Sequence, residues 1–336
     1  MPNAVGQREL IDTFNRRIDY IRLSVTDRCD FRCVYCMTED MKFLPRNQVL
    51  SLEELHMVAT AFTELGVKKI RITGGEPLVR KNIMSLFRSI GALEGLEELL
   101  LTTNGSQLHK FAGPLREAGV NRINISIDSL RPERFLRMSR VGKLENVLRG
   151  IEAARAEGFD RIRLNAVIMR GYNEDEIVDL TEYALQRGLD IAFIEEMPLG
   201  EASDHDRKKT LCSNDWVRQV ISEHYTVVSS TDKTAGPSRY YKVQGYDSRI
   251  GFISPISHNF CADCNRVRIT VEGRLLLCLG NEHSVDLREI IRGAPEGNMQ
   301  ALQQAIVNSM AIKPERHYFY EAGHEQPVRL MNMTGG

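Results

Sequence analysis

Six of the seven cysteines in this 336-residue sequence fall into two groups of three, the places where metal or redox chemistry is most readily built. The first is Cys29-Asp-Phe-Arg-Cys33-Val-Tyr-Cys36, a spacing that lets one loop wrap three sulfurs around a single centre. The second runs from Cys261-Ala-Asp-Cys264 to Cys278, with thirteen residues between the last two thiols. Iron–sulfur cubanes are held by thiolates and normally use four, so three protein ligands leave one iron an open position. Zinc is the rival, as a Cys₃His site completed by His56 or His109 at the first group and by His258 or His283 at the second. Spacing alone leaves both readings open at the second group. At the first, a location after a β-rich run and ahead of Thr73-Gly74-Gly75-Glu76-Pro77 favours iron and sulfide. Cys212 stands apart and reads as a structural thiol.

Just past the second group, Arg266 and Arg268 sit two apart in a β-rich run and therefore on one face. Guanidinium forks suit phosphate oxygens. Arg22, Arg71 and Arg163 lie in runs that feed the same end of the fold. Several cations converging on a cavity that already holds a redox centre imply a polyanionic small molecule.

The elements that must position these residues are an alternation, repeated about six times, of short apolar runs and helical stretches. The runs are 21–26, 68–73, 96–103, 120–128, 161–169 and 190–197. Ser51 with Glu54 makes a capping box for the first helix, and Gly66 ends it. Near-continuous apolar strands joined by helices indicate parallel pairing with both faces covered. The expected fold is α/β, an incomplete (βα)₆ TIM-like barrel whose chemistry sits at the carboxyl ends of its strands. Residues 1–20 read as an N-terminal arm, 21–230 as the partial barrel and 231–336 as a C-terminal α+β segment laid across the barrel mouth, with 231–243 as a turn-rich linker. The formal charge of −1 creates no field for nucleic acid or anionic membrane. The N-terminus carries no signal-type apolar region, and no run approaches the roughly 18 apolar residues of a membrane span. The expectation is a cytoplasmic protein, in whose reducing compartment clustered thiols bind metal or act in redox chemistry.

The first triad and the glycine-rich strand end resemble the radical S-adenosylmethionine (SAM) enzymes, in which the open iron binds SAM and a 5′-deoxyadenosyl radical is made. The resemblance implies cofactor contacts from Tyr35, Gly75, Glu76, Ser126 and Met197, with Glu76 accepting from the ligand ammonium. The two triads, the stretch Cys264-Asn-Arg-Val-Arg268 and the terminal Gly335-Gly336 narrow the resemblance to the GTP 3′,8-cyclase family of molybdenum-cofactor biosynthesis, from about Ile18 to Gly336. It implies two [4Fe-4S] clusters, one on Cys29, Cys33 and Cys36 and one on Cys261, Cys264 and Cys278. GTP contacts would come from Arg22, Arg71, Thr102, Arg163, Arg266, Val267 and Arg268, with Arg266, Arg268, Gly335 and Gly336 catalytic. The implied reaction removes the 3′ hydrogen of GTP and joins C3′ to C8, giving (8S)-3′,8-cyclo-7,8-dihydro-GTP. The implied partners are an external one-electron donor and, downstream, cyclic pyranopterin monophosphate synthase; a homodimer is left open. A radical SAM enzyme with an auxiliary cluster acting on a peptide or protein is the alternative. Two positions depart from the family pattern: Arg163 stands where many relatives carry lysine, and Ala192 where an arginine is frequent, which leaves Lys68, Lys69 or Arg80 to compensate.

Overall fold

The structure, a computed structural model, describes residues 9–200, 205–232, 236–293, 299–321, 324 and 326–335. Six parallel strands pair in chain order: β1 (Tyr20–Ser24), β2 (Lys69–Thr73), β3 (Glu98–Thr103), β4 (Val120–Ser126), β5 (Arg161–Val167) and β6 (Asp190–Ile194). Helices α1 (Leu52–Glu64), α2 (Ile83–Gly91), α3 (Leu108–Glu117), α4 (Pro132–Ser139), α5 (Leu144–Ala156) and α6 (Ile177–Gln186) fill the crossovers. The strands are buried almost throughout because helices cover their outer face and the cavity occupies the inner one. Ile21, Leu23, Ile70, Ile72, Phe62 and Phe87 pack between sheet and helices. The capping box of α1 forms as expected, with the Ser51 hydroxyl accepting from the Glu54 N–H at 3.1 Å and the Glu54 carboxylate from the Ser51 N–H at 2.7 Å.

The remaining strands are β7 (Val227–Ser229), β8 (Arg239–Val243), β9 (Arg249–Ile253), β10 (Arg266–Ile269), β11 (Arg274–Leu276) and β12 (Ser284–Asp286). They continue the same sheet, in the order β12-β11-β10-β1-β2-β3-β4-β5-β6-β9-β8-β7. β10 pairs parallel to β1 and β9 parallel to β6, so the C-terminal segment grips both margins of the six-stranded core, and the barrel stays open. The stretch expected as linker contains β8, which pairs antiparallel with β9 and buries Tyr240 towards the cavity and Val243 in the core. Residues 233–235 of that stretch lie outside the described residues.

Candidate active site

The loop after β1 carries the first triad, and the glycine turn after β2 lies directly on it. Gly75 N–H donates to Thr26 O at 2.7 Å and Glu76 N–H to Arg28 O at 2.8 Å. A Cβ on Gly75 would stand 2.4 Å from Arg28 O, and one on Gly74 2.7 Å from Thr26 O. Two backbones therefore touch where a side chain would separate them. From the other side, Arg32 and Val34 donate their N–H groups to Ser139 O and Met138 O at the end of α4. Cys29 Sγ accepts from the Phe31 N–H and the Asn104 amide, and Cys36 from the Asn332 N–H. Burial pushes the Cys36 thiol up to about 12 and raises those of Cys29 and Cys33 well above the usual thiol range. Loading metal on this loop means removing protons from reluctant thiols.

Beside this loop a small cavity is bounded by Cys33, Tyr35, Asn104, Ser126 and Asp128. The Tyr35 hydroxyl donates to Asp128 at 2.8 Å. Burial raises the Asp128 carboxyl to about 6, although the Val167 N–H and Tyr35 hydroxyl hydrogen-bond it. Asp128 stands out in the sequence as one of the polar residues at a strand's carboxyl end, where chemistry is expected, but its pairing with Tyr35 is not legible there. Glu76, expected to receive a ligand ammonium, lines neither cavity and is 0% exposed. Its oxygens accept from Leu78 N–H, the Thr103 hydroxyl and Asn104 N–H, so a ligand would have to share an oxygen already bound. Burial raises its carboxyl to about 7.

The larger cavity lies inside the barrel. Strand register sets Arg268 opposite Arg22 and Arg22 opposite Arg71, so three guanidiniums stand abreast on β10, β1 and β2. Neighbouring strands are about 4.8 Å apart. Arg163, Arg266, Val267 and Met197 line the same space, together with Cys261, Cys264 and Cys278. The second triad is built by a single turn at Cys261–Asp263, with the Cys264 N–H donating to Cys261 O, and by the chain leaving β11. Thr102 is not on this wall; its hydroxyl is buried without a partner.

Among the described residues none of Arg22, Arg71, Arg163, Arg266 and Arg268 has a carboxylate partner, and Arg22 Nε and Arg266 Nε are buried unpaired. Burial, together with repulsion from Arg71 and Arg266, lowers Arg22 to about 10; burial and repulsion from Arg22 and Arg266 also hold Arg268 well below the usual guanidinium range. Tyr20 lies among them, its hydroxyl accepting from Arg71 Nε at 2.7 Å. Burial alone would raise this phenol, but Arg71, Arg22 and Arg266 outweigh burial and bring it down to about 7. The orphaned nitrogens and the excess of cations fit a bound polyanion.

The residues expected to replace an arginine at position 192 do not do so. Lys68 and Lys69 pair with Glu97 and Glu98, and Arg80 donates to Val25 O and Leu50 O. The far wall carries Arg122, paired with Glu98, and Arg161 and Arg249, both paired with Asp190, so these cations are also matched; Arg163 donates to the Tyr240 hydroxyl at 2.8 Å. Ala192 is buried opposite Gly251. The alternation in Arg161-Ile-Arg163 could have flagged Arg161; Arg249 required the β6–β9 pairing, which no local pattern shows.

The C-terminus closes the cavity. The Arg268 guanidinium donates to Gly335 O, and the Asn332 amide to Asp27 O at 2.9 Å. Gly335 has φ +76°, and a Cβ there would stand 2.0 Å from Thr73 Oγ1. Gly336 lies outside the described residues. The histidines weighed as zinc ligands lie elsewhere: His258 pairs with Asp215 at 2.7 Å, and none of His56, His109, His258 and His283 lines the large cavity. Among the described residues no three Cys, His, Asp or Glu side chains converge as ligands of one ion would. No described helix is long and apolar enough to cross a membrane.

Residues 23–184 match the Radical SAM superfamily and residues 189–319 match Molybdenum Cofactor Synthesis C. The chain is 60% identical over 328 residues to a GTP 3′,8-cyclase of Pseudomonas entomophila (strain L48), covering 97% of this chain and 98% of that one. It is 58% identical to a GTP 3′,8-cyclase of Ectopseudomonas mendocina (strain ymp), covering 98% and 99%. Among solved structures, Streptococcus suis SuiB bound to S-adenosylmethionine shares the fold with a TM-score of 0.60 at 14% identity, over 82% of this chain and 65% of that one. An open parallel barrel with a thiol triad on its first loop and a C-terminal segment completing the sheet at both margins, together with identity of this extent, places the chain in the GTP 3′,8-cyclase family of radical SAM enzymes.

Proposed function

We propose that this chain converts GTP to (8S)-3′,8-cyclo-7,8-dihydro-GTP in molybdenum-cofactor biosynthesis. The observation that carries the reading is the row Arg268, Arg22 and Arg71, half-buried to buried and without carboxylates, on the cavity that also receives Cys261, Cys264 and Cys278. When bound, a [4Fe-4S] cluster and SAM supply an electron and the 5′-deoxyadenosyl radical. Cys29, Cys33 and Cys36 would hold that cluster, and Tyr35, Gly75, Ser126 and Met197 would contact SAM, with Glu76 bracing the glycine turn. Cys261, Cys264 and Cys278 would hold a second [4Fe-4S] cluster facing the guanine. Arg22, Arg71, Arg163, Arg266, Arg268 and the Val267 backbone would fix the triphosphate, with Thr102 nearby. The tail at Gly335 and Gly336 would exclude water, so that the ribose C3′–H lies within about 3–3.5 Å of the attacking carbon.

In this reading the chain works in the cytoplasm with an external one-electron donor and hands its unstable product to cyclic pyranopterin monophosphate synthase. Residues 1–20, 21–230 and 231–336 would serve as arm, barrel and closing segment. The test is anaerobic reconstitution with iron and sulfide, then incubation with SAM, dithionite and GTP. Deoxyadenosine that forms with GTP, and the cyclised nucleotide with it, is the expected result. Cys29→Ala should abolish both, whereas Cys261→Ala should keep SAM cleavage and lose cyclisation. A Cys29→Ala protein that still makes deoxyadenosine would end the assignment.

A further inference from the structure

Lys313 follows a single helical turn at Met310–Ile312 and is 3% exposed. Its ammonium donates to Leu277 O at 2.7 Å and Arg266 O at 3.3 Å, and approaches Cys264 Sγ at 3.6 Å. Among the described residues it has no carboxylate partner. Taking an ammonium out of water costs several kcal/mol unless hydrogen bonds and an opposite charge offset it. Two carbonyls meet two of its three N–H groups, but they are neutral. The groups within reach that can carry negative charge are thiols, and the lysine's field acts on Cys264, Cys261 and Cys278 alike.

Two other cations act on Cys264: Arg266, which lines the large cavity, and Arg16, which is already matched. Arg16 pairs with Asp12 at 2.6 Å and donates to the carbonyls of Cys261, Pro314 and Glu315. The first triad sits in the opposite field, since Glu76, Asp30 and Asp128 are the charged side chains acting on it and its hydrogen-bond donors are neutral amides.

We propose that Lys313 is a positioning residue of the second centre: its buried ammonium is the counter-charge of the Cys261, Cys264 and Cys278 thiolates and raises the reduction potential of the cluster they carry. This rests on the reading that the second triad holds a cluster. A positive charge beside a centre favours adding an electron, so removing it lowers the potential.

The experiment uses full-length protein with Cys29, Cys33 and Cys36 replaced by Ala, so that only the second centre gives a signal, reconstituted anaerobically with Lys313, Lys313→Gln or Lys313→Arg. Gln keeps a donor for the carbonyls without charge, and Arg restores charge. Redox titration followed by electron paramagnetic resonance should show Lys313→Gln shifted down by at least a tenfold change in the reduced-to-oxidised ratio, about 59 mV for one electron, with Arg returning toward the parent. Iron lost in Gln and regained in Arg would mark the ammonium equally well. A second measurement needs no substitution: in protein labelled with ¹⁵N-lysine, the reduced centre should couple to a lysine nitrogen. Equal potentials at equal iron content in all three proteins, or no lysine coupling, would overturn the proposal. Failure of the Lys313 protein to bind any iron would remove the second cluster itself, and this assignment with it.

Discussion

Arg22, Arg71 and Arg268 stand side by side with no carboxylate partner among the described residues, an arrangement that a bound triphosphate would stabilise. Truncating Arg266 or Arg268 to Ala should therefore weaken GTP binding by about 1.5–3 kcal/mol, the scale of a charged hydrogen bond. Calorimetry on the anaerobic protein reads this directly, and unchanged affinity would remove the clamp. Tyr20 gives a second test, because its phenol falls to about 7 under Arg71, Arg22 and Arg266 despite burial. Its folded value lies below the unfolded one near 10, so between about pH 7 and 10 the unfolded chain binds the extra proton and stability rises with pH. The contribution is complete above 10 and disappears as pH falls through 7. Urea unfolding of the metal-free protein at pH 7 and pH 9 should show a gain that Tyr20→Phe lacks; equal gains would show that the phenol does not titrate there.

Among the elements, the C-terminal turn at Met331–Thr334 and the glycine after it connect the first cysteine loop to strand β10. Asn332 reaches the first loop through Cys36 and Asp27, and Gly335 reaches Arg268. Gly335→Ala should lift the tail, because its positive φ and the nearby Thr73 hydroxyl leave no room for a methyl. The expected outcome is cyclisation lost with the unfolding midpoint nearly unchanged, whereas Ser51→Ala should destabilise by about 1 kcal/mol and leave turnover alone. What sequence reveals divides along the same line. Strands β1 to β6, the capped helix and both triads were legible because periodicity, caps and thiol spacing are local. The roles of Arg249, Asp128, Arg16 and Lys313 were not, since each depends on a partner far along the chain, as that of Arg16 does on Pro314. β8 was read as linker because Gly236-Pro237 dominates its approach.

For the whole molecule, the C-terminal segment supplies both lateral neighbours of the core sheet, and the sheet then ends in the three-residue strands β7 and β12. A fragment ending at residue 230 would expose the margins of β1 and β6 with their backbone groups unpaired. It should be recovered largely aggregated, and co-expression with residues 231–336 should restore part of the soluble material; a soluble, cooperatively melting fragment would contradict this. The pairing of β1 with β10 also bears on timing. Asn265, at the threshold of β10, bonds Asp19, a partner 246 positions earlier. On the ribosome the larger cavity therefore lacks the wall that β10 supplies until that strand has emerged, long after β1 to β6 have left the tunnel.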